Sequence, residues 1–365
     1  MGFESGSVSC RMFYVQGRMP EDCVKRFAAH AAPPIDTVGS DPVSGWVSGR
    51  HLLDRKITDE NATVAGYLRL TLVSAQRKVP EALLRAECQM EELAEMQARG
   101  TAFLKRDARM EIRKNVLDRL LPAMPPTLKG MPMVHDAQND LVYAAAMSDK
   151  QSDALILAVR EAVGVTLIPL TPATAALRRK QVNARDLDPS SFSPEFEDEQ
   201  SSDSLGQDFL TWLWFFAEMR GGLVKTDRQE FGVILEGPLT FVLEGNGAYE
   251  TVLRKGTPLV SAEAKTALLS GKKLKSARVT LARGEEMWSV RLDGDEFLFR
   301  GLAMPKGAQL DPISRFQERM LLLETFREAF LQCYDIFLGE RANASAWKKT
   351  VKEIHGWVAN RVAKC

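Results

Sequence analysis

Hydrophobic and polar residues follow two different periods along this chain. Leu68, Leu70 and Leu72 recur with period two, which predicts a strand with one buried face. Pro80 and Gly100 bound a mixed-charge segment of helical composition. Because proline favours the first turn of a helix and glycine its end, we predict a long helix between them.

Other segments add further elements. They are a basic helix over 105–121, a hairpin over 131–147, an apolar helix over 205–219, and a second hairpin pairing 288–292 with 296–300 around Asp293-Gly294-Asp295. Helices and strands alternate without a strict β-α-β order. The predicted fold class is therefore α+β, with mixed sheets, long charged helices and a helical C-terminus.

Two helical segments are rich in apolar residues. The helix from 205 to 219 is apolar on all sides and includes Trp212 and Phe216, which favours packing in the interior over an exposed platform for stacking bases. The C-terminal segment keeps spacings of three and four from Ile313 to Phe337, interrupted by Arg327. We interpret it as a seam within one chain rather than a coiled coil between chains.

The 365 residues suggest two or three domains. We predict an N-terminal α+β domain over 1–170 and a charged linker or excursion over 171–204. A second α+β domain would follow over 205–310, and C-terminal helices over 311–365.

Composition and motifs exclude several classes of protein. The five cysteines lie far apart, and the four histidines form no metal-binding motif. No nucleotide-binding loop, dinucleotide fingerprint, hydrolase elbow or kinase set occurs. We therefore expect no cofactor and no metal. The chain also has no apolar run long enough to span a bilayer and no secretion signal, so we expect a cytoplasmic protein.

Positive charge is locally concentrated although the net charge is zero, with 48 basic and 48 acidic residues. Segment 254–283 carries eight basic residues against Glu263 alone. Several cations on one face would bind phosphates without regard to sequence, whereas a solvated surface would explain the same charges. The first candidates for DNA contacts are Lys272, Lys273, Lys275 and Arg278. The second set, on the basic helix, is Lys105, Arg106, Arg109, Arg113 and Lys114.

The order of several short motifs resembles the recombination-associated RdgC family. They are Gly45-Trp46-Val47, Lys78-Val79-Pro80, the segment 116–122, Leu167-Ile168-Pro169-Leu170 and the segment 267–274. The resemblance covers most of 8–170 and then roughly 261–305. Segment 186–254 has no counterpart in it, which suggests an insertion or an additional domain.

The resemblance implies a non-enzymatic protein that binds double-stranded DNA with little sequence preference. It also implies a ring-shaped homodimer with a basic inner surface, competition with the RecA recombinase for DNA, and residence in the cytoplasm or nucleoid.

Two other functions remain open at this stage. Asp293, Asp295 and Glu296 would be the metal ligands of a magnesium-dependent DNA nuclease or processing enzyme. Alternatively, the helix containing 212–216 and the C-terminal helices would dock a protein partner, with no role for DNA.

Overall fold

The strands of the protein carry the expected alternation of buried and exposed residues. A computed structural model describes residues 2–195, 204–227, 229–243, 249–308 and 311–360. The strands are β1 (Val8–Gln16), β2 (Val43–Ser48), β3 (Thr63–Val64), β4 (Tyr67–Gln76), β5 (Thr127–Asp136), β6 (Leu141–Ala144), β7 (Thr166–Pro169), β8 (Leu223–Lys225), β9 (Glu230–Leu243), β10 (Tyr249–Leu253), β11 (Lys273–Arg283), β12 (Glu286–Asp293) and β13 (Leu298–Ala303).

The helices begin and end at residues whose chemistry favours those positions. Ser148 and Ser204 each accept a hydrogen bond from a backbone N–H of the first turn that follows. Gly100 ends a helix in the left-handed region, with φ of 63°. The helices are α1 (Cys23–Ala29), α2 (Asp59–Ala62), α3 (Glu81–Arg99), α4 (Arg106–Leu120), α5 (Asp149–Val163), α6 (Pro172–Lys180), α7 (Leu205–Met219), α8 (Ala262–Leu269), α9 (Pro312–Arg341) and α10 (Ala344–Asn360).

All thirteen strands belong to one sheet, in which every pairing is antiparallel. Its main order is β10-β9-β11-β12-β13-β1-β6-β5-β4-β2, while β3, β7 and β8 pair with β4, β1 and β9. The first residues of β1 pair with β13, and Arg11 to Tyr14 pair with β6. β1 thus joins the strands of the predicted N-terminal domain to those of the predicted second domain. The α+β class is confirmed.

In the N-terminal part of the sheet the helices cover one face, and in the C-terminal part they cover the other face. In the N-terminal part, Phe13 of β1 and Leu70 of β4 share a core with Phe27 of α1 and Leu155 of α5. In the C-terminal part, α7 and α9 cover the face that carries Trp288. Within the described residues, the opposite face of strands β9, β11, β12 and β13 keeps several long side chains exposed.

Three expectations change once the chain is folded. Segment 271–278 is largely the start of β11 rather than an exposed basic stretch, which puts the Lys273 side chain in the interior. The described part of the predicted linker contains α6, and its Phe192 is buried against Trp347. The acidic residues at 196–203 lie outside the described residues. Segment 186–254, interpreted as an insertion or an additional domain, supplies α7 to the largest core, and that interpretation stays a prediction.

The two helical segments rich in apolar residues pack as the sequence indicated. Residues Leu205–Phe216 of α7 are all buried. Along α9, the stripe is buried from Phe316 onward, and Arg327 within it donates a hydrogen bond to the Tyr143 hydroxyl at 2.9 Å. The interior packing of α7 and the intramolecular seam of α9 are confirmed.

A buried group of three charges holds α7, β11 and α9 together. Lys273 Nζ lies 2.6 Å from Asp208 Oδ1, and Arg341 Nε lies 3.3 Å from Asp208 Oδ2. The three side chains are at most 5% exposed. Because a buried charge without its partner is costly, this triad fixes the position of α7 against the sheet.

We predict that Asp208→Asn lowers the free energy of unfolding by about 3–5 kcal/mol, because it leaves two cations buried without their counter-charge. Urea unfolding at neutral pH measures the change. Arg113→Gln is the control, since it breaks an exposed ion pair with Glu81 and should cost at most about 1 kcal/mol. An Asp208→Asn protein as stable as the control would contradict the role of the triad.

Candidate nucleic-acid interface

Three arginines stand side by side on the open face of the sheet. Arg278 of β11 pairs with Arg291 of β12, and Arg291 pairs with Arg300 of β13. Directly paired residues of an antiparallel sheet lie on the same face, about 5 Å apart. We call Arg278, Arg291 and Arg300 the arginine row; it spans about 10 Å across three strands.

The alternation of the strands keeps the arginine row away from the core. The neighbours Val279, Val290 and Phe299 are buried under α7 and α9, whereas the three arginines are exposed. No ion pair joins the row to a carboxylate of the described residues. The row is therefore a concentration of positive charge, with one acidic neighbour on the same face: the exposed Glu236 of β9, which pairs with Arg278.

Hydroxyl groups accompany the arginine row. Arg291 Nε donates to Ser276 Oγ at 3.3 Å, and Thr280 Oγ1 donates to Ser289 Oγ at 3.0 Å on the same face. Guanidinium groups are donors to phosphate oxygens, and so is the hydroxyl of the partly exposed Ser289, whereas Ser276 and Thr280 are only 6% exposed. Like charges directly opposite each other destabilise a sheet, and a bound anion would remove that repulsion.

The first set of predicted residues is divided by the fold. Arg278 belongs to the arginine row. Lys273 is buried against Asp208, so its selection as a DNA contact was wrong for a steric reason: its ammonium group faces the interior. Lys275 pairs with Asp295 at 3.2 Å, and Lys272 Nζ donates to Thr251 Oγ1 at 2.7 Å.

The second set lies on α4, which packs against α3 as a helical hairpin. Arg109 and Arg113 form ion pairs with Glu92 and Glu81 of α3, at 3.7 and 3.3 Å. The remaining three, Lys105, Arg106 and Lys114, are exposed and form no ion pair with a described residue. This surface is thus basic but partly neutralised.

Sequence analysis missed Arg291 and Arg300. It predicted the hairpin that contains them but not its register, which depends on a loop in which Phe297 has φ of 48° and on an irregularity between Ser289 and Arg291. The usable indication was the alternation within each strand, which puts Arg291 and Trp288 on opposite faces.

The acidic residues of the β12–β13 turn do not assemble as a metal site in the described part of the chain, where no group of three His, Cys, Asp or Glu side chains has suitable geometry. Asp295 accepts hydrogen bonds from Ser204 Oγ at 2.7 Å and Gln207 Nε2 at 3.0 Å. Burial, with a smaller effect of the Asp295 charge, raises the pKa of Asp293. Burial also raises the pKa of Glu296.

Two remaining expectations concern aromatic and membrane-spanning helices. Trp212, Trp214 and Phe216 are buried, so they offer no surface to a nucleobase or a partner protein.

Among the helices described, none combines the length and the apolar character needed to cross a bilayer.

Comparison with known proteins finds a family that matches part of this α+β chain. Residues 20–197, a little under half of the chain, match the family described as "RdgC: Putative exonuclease, RdgC". The resemblance to that family drawn from the motifs is confirmed over that range. No curated protein matches the chain.

We predict that Arg291→Gln raises the free energy of unfolding by up to about 1 kcal/mol at low salt, because it removes repulsion on both sides of the central arginine. The increase should shrink at high salt as the charges are screened. Urea unfolding at two ionic strengths measures both effects. Arg283→Gln, which breaks an ion pair with Glu286 on the same sheet, should give no increase. A destabilised Arg291→Gln protein at low salt would contradict the repulsion.

Proposed function

We propose that this protein binds double-stranded DNA through its phosphate backbone, with little sequence preference and without cleaving it. The observation that carries the proposal is the arginine row, three exposed guanidinium groups in register that form no ion pair within the described residues. Such a group of cations gains affinity by releasing the counterions condensed on DNA.

The shape of the open face favours contacts to the backbone over contacts to base edges. The major groove is about 12 Å wide and admits a helix or a two-stranded ribbon. Strands β9, β11, β12 and β13 together span about 14 Å between their outer axes, which is too wide to enter the groove. The face would lie across the phosphates, where arginine and hydroxyl donors fix position without reading sequence.

The match of residues 20–197 to the RdgC family supports a recombination-associated role in a broad sense. We propose that the protein acts in the cytoplasm at the nucleoid and competes with the RecA recombinase for DNA. Occupation of the duplex backbone is sufficient for such competition, because both proteins would need the same phosphates.

We further propose a homodimer in which two copies enclose the duplex as a ring, with the α3–α4 hairpin as one contact. This hairpin packs mainly on itself and exposes apolar side chains: Met90 (56%), Leu93 (58%), Phe103 (72%) and Met110 (61%). Helix α3 is acidic and α4 is basic, so a two-fold axis would bring opposite charges together across two copies.

We predict that the triple variant Arg278→Gln/Arg291→Gln/Arg300→Gln binds unrelated duplexes more weakly, and equally so for each sequence. The slope of log affinity against log salt should become shallower by about 0.9 for each phosphate that the variant no longer neutralises. Fluorescence anisotropy with labelled duplexes over a salt series gives both quantities.

The matched control neutralises three cations on the hairpin, as Lys105→Gln/Arg106→Gln/Lys114→Gln, with the same change in net charge. If this control binds more weakly and the arginine-row variant does not, the DNA site is on α4 and our assignment is wrong. Loss of intact duplex when magnesium is added would instead support the nuclease alternative.

We predict that Leu93→Glu shifts the dimer–monomer equilibrium, measured by sedimentation equilibrium, toward the monomer, because it places a charge in one of the proposed contacts. Leu177→Glu is the control, since Leu177 is exposed to a similar extent, 56%, but lies on α6. A wild-type monomer, or a Leu93→Glu dimer as stable as wild type, would exclude the hairpin as the contact.

A further inference from the structure

Three apolar side chains share the open face with the arginine row. Leu223 of β8 pairs with Gly232 of β9, Gly232 with Ala282 of β11, and Ala282 with Met287 of β12. Ile234, two residues beyond Gly232, is on the same face of β9. We call Leu223, Ile234 and Met287 the apolar patch.

The apolar patch is exposed and adjoins the cations. The exposed fractions are 58% for Leu223, 47% for Ile234 and 57% for Met287, although buried positions lie on the other face of the same strands. Ile234 pairs with Thr280, which lies two residues from Arg278 on β11. The patch therefore begins about 7 Å from the arginine row along the strands.

The small residues between these side chains leave the patch accessible. Gly232 and Ala282 occupy the positions between Leu223 and Met287, and a Cβ added at Gly232 would contact only the Ala282 carbonyl oxygen, at 3.9 Å. A surface of this form can approach a ligand closely over its whole width.

We infer that the apolar patch contacts the deoxyribose sugars of the same duplex whose phosphates the arginine row binds. This inference rests on the proposed function. Exposed apolar groups beside cations match a duplex, in which the apolar faces of the deoxyriboses lie within a few ångströms of the phosphates.

A protein partner fits these charges less well. It would have to cover three arginines that form no ion pair within the described residues of their own chain, at a substantial cost in desolvation. DNA satisfies the cations and covers the apolar side chains with one ligand. The apolar contacts release no counterions, so their share of the affinity should not depend on salt.

The test is the double variant Ile234→Thr/Met287→Gln. Threonine is β-branched like isoleucine and glutamine is unbranched like methionine, so the change is mainly one of polarity. Its binding to labelled duplexes and to heparin, a polyanion without grooves, is measured by anisotropy and by competition over a salt series. We expect the Kd for duplex to rise about tenfold at every salt concentration. The salt slope and the binding of heparin should stay unchanged.

Leu321→Gln is the control, since Leu321 is 51% exposed on α9, which covers the opposite face of the sheet, and it should bind duplex like wild type. An unchanged Kd for duplex in the double variant would overturn the inference. An equal loss of affinity for heparin would also overturn it. A change in the sedimentation mass would overturn it too, because it would assign the patch to a contact between proteins. If the arginine-row variant and the double variant both bind duplex like wild type, the proposed function fails together with the inference. If the arginine-row variant loses affinity and the double variant does not, only the apolar contact is wrong.

Discussion

The buried ion pair between Lys273 and Asp208, completed by Arg341, is the constraint on which the described architecture depends. It ties α7 to β11 and to the end of α9, so the two helices cover the same side of the C-terminal part of the sheet. The apolar side chains of these strands face α7 and α9. The polar residues of the same strands then have no cover, and the arginine row is exposed on the side opposite to Lys273.

The two kinds of cation on β11 have different functions in this account. Lys273 is compensated within the protein and contributes to stability, whereas Arg278 forms no ion pair within the described residues, although Glu236 pairs with it on β9, and its exposed guanidinium group is available to an external anion. Repulsion along the row opposes folding slightly, and a ligand would relieve it. At the adjacent turn, Lys275, Ser204 and Gln207 bind Asp295, while burial raises the pKa of Asp293 and the charge of Arg300 partly offsets that rise.

Sequence predicted the local elements well because their determinants are local. Pro80 and Gly100 delimit α3, and the all-apolar composition of α7 predicts its burial. Sequence did not predict which basic residues would be exposed, since that depends on where β11 begins and on the register of its partners. The predictions of separate domains over 1–170 and 205–310 remain predictions. β1 nonetheless pairs with strands from both segments, through contacts far apart in sequence that no local pattern encodes.

The central claim is that the open face of β11, β12 and β13 contacts the DNA backbone. Photo-crosslinking with a duplex that carries a photoreactive azidophenacyl group on a backbone phosphorothioate, followed by mass spectrometry of the crosslinked peptides, locates the contact directly on the unmodified protein. The account predicts crosslinks within residues 276–303, including peptides with Arg278 or Arg291. Crosslinks confined to residues 105–120 on the helical hairpin, or none at low salt, would contradict it.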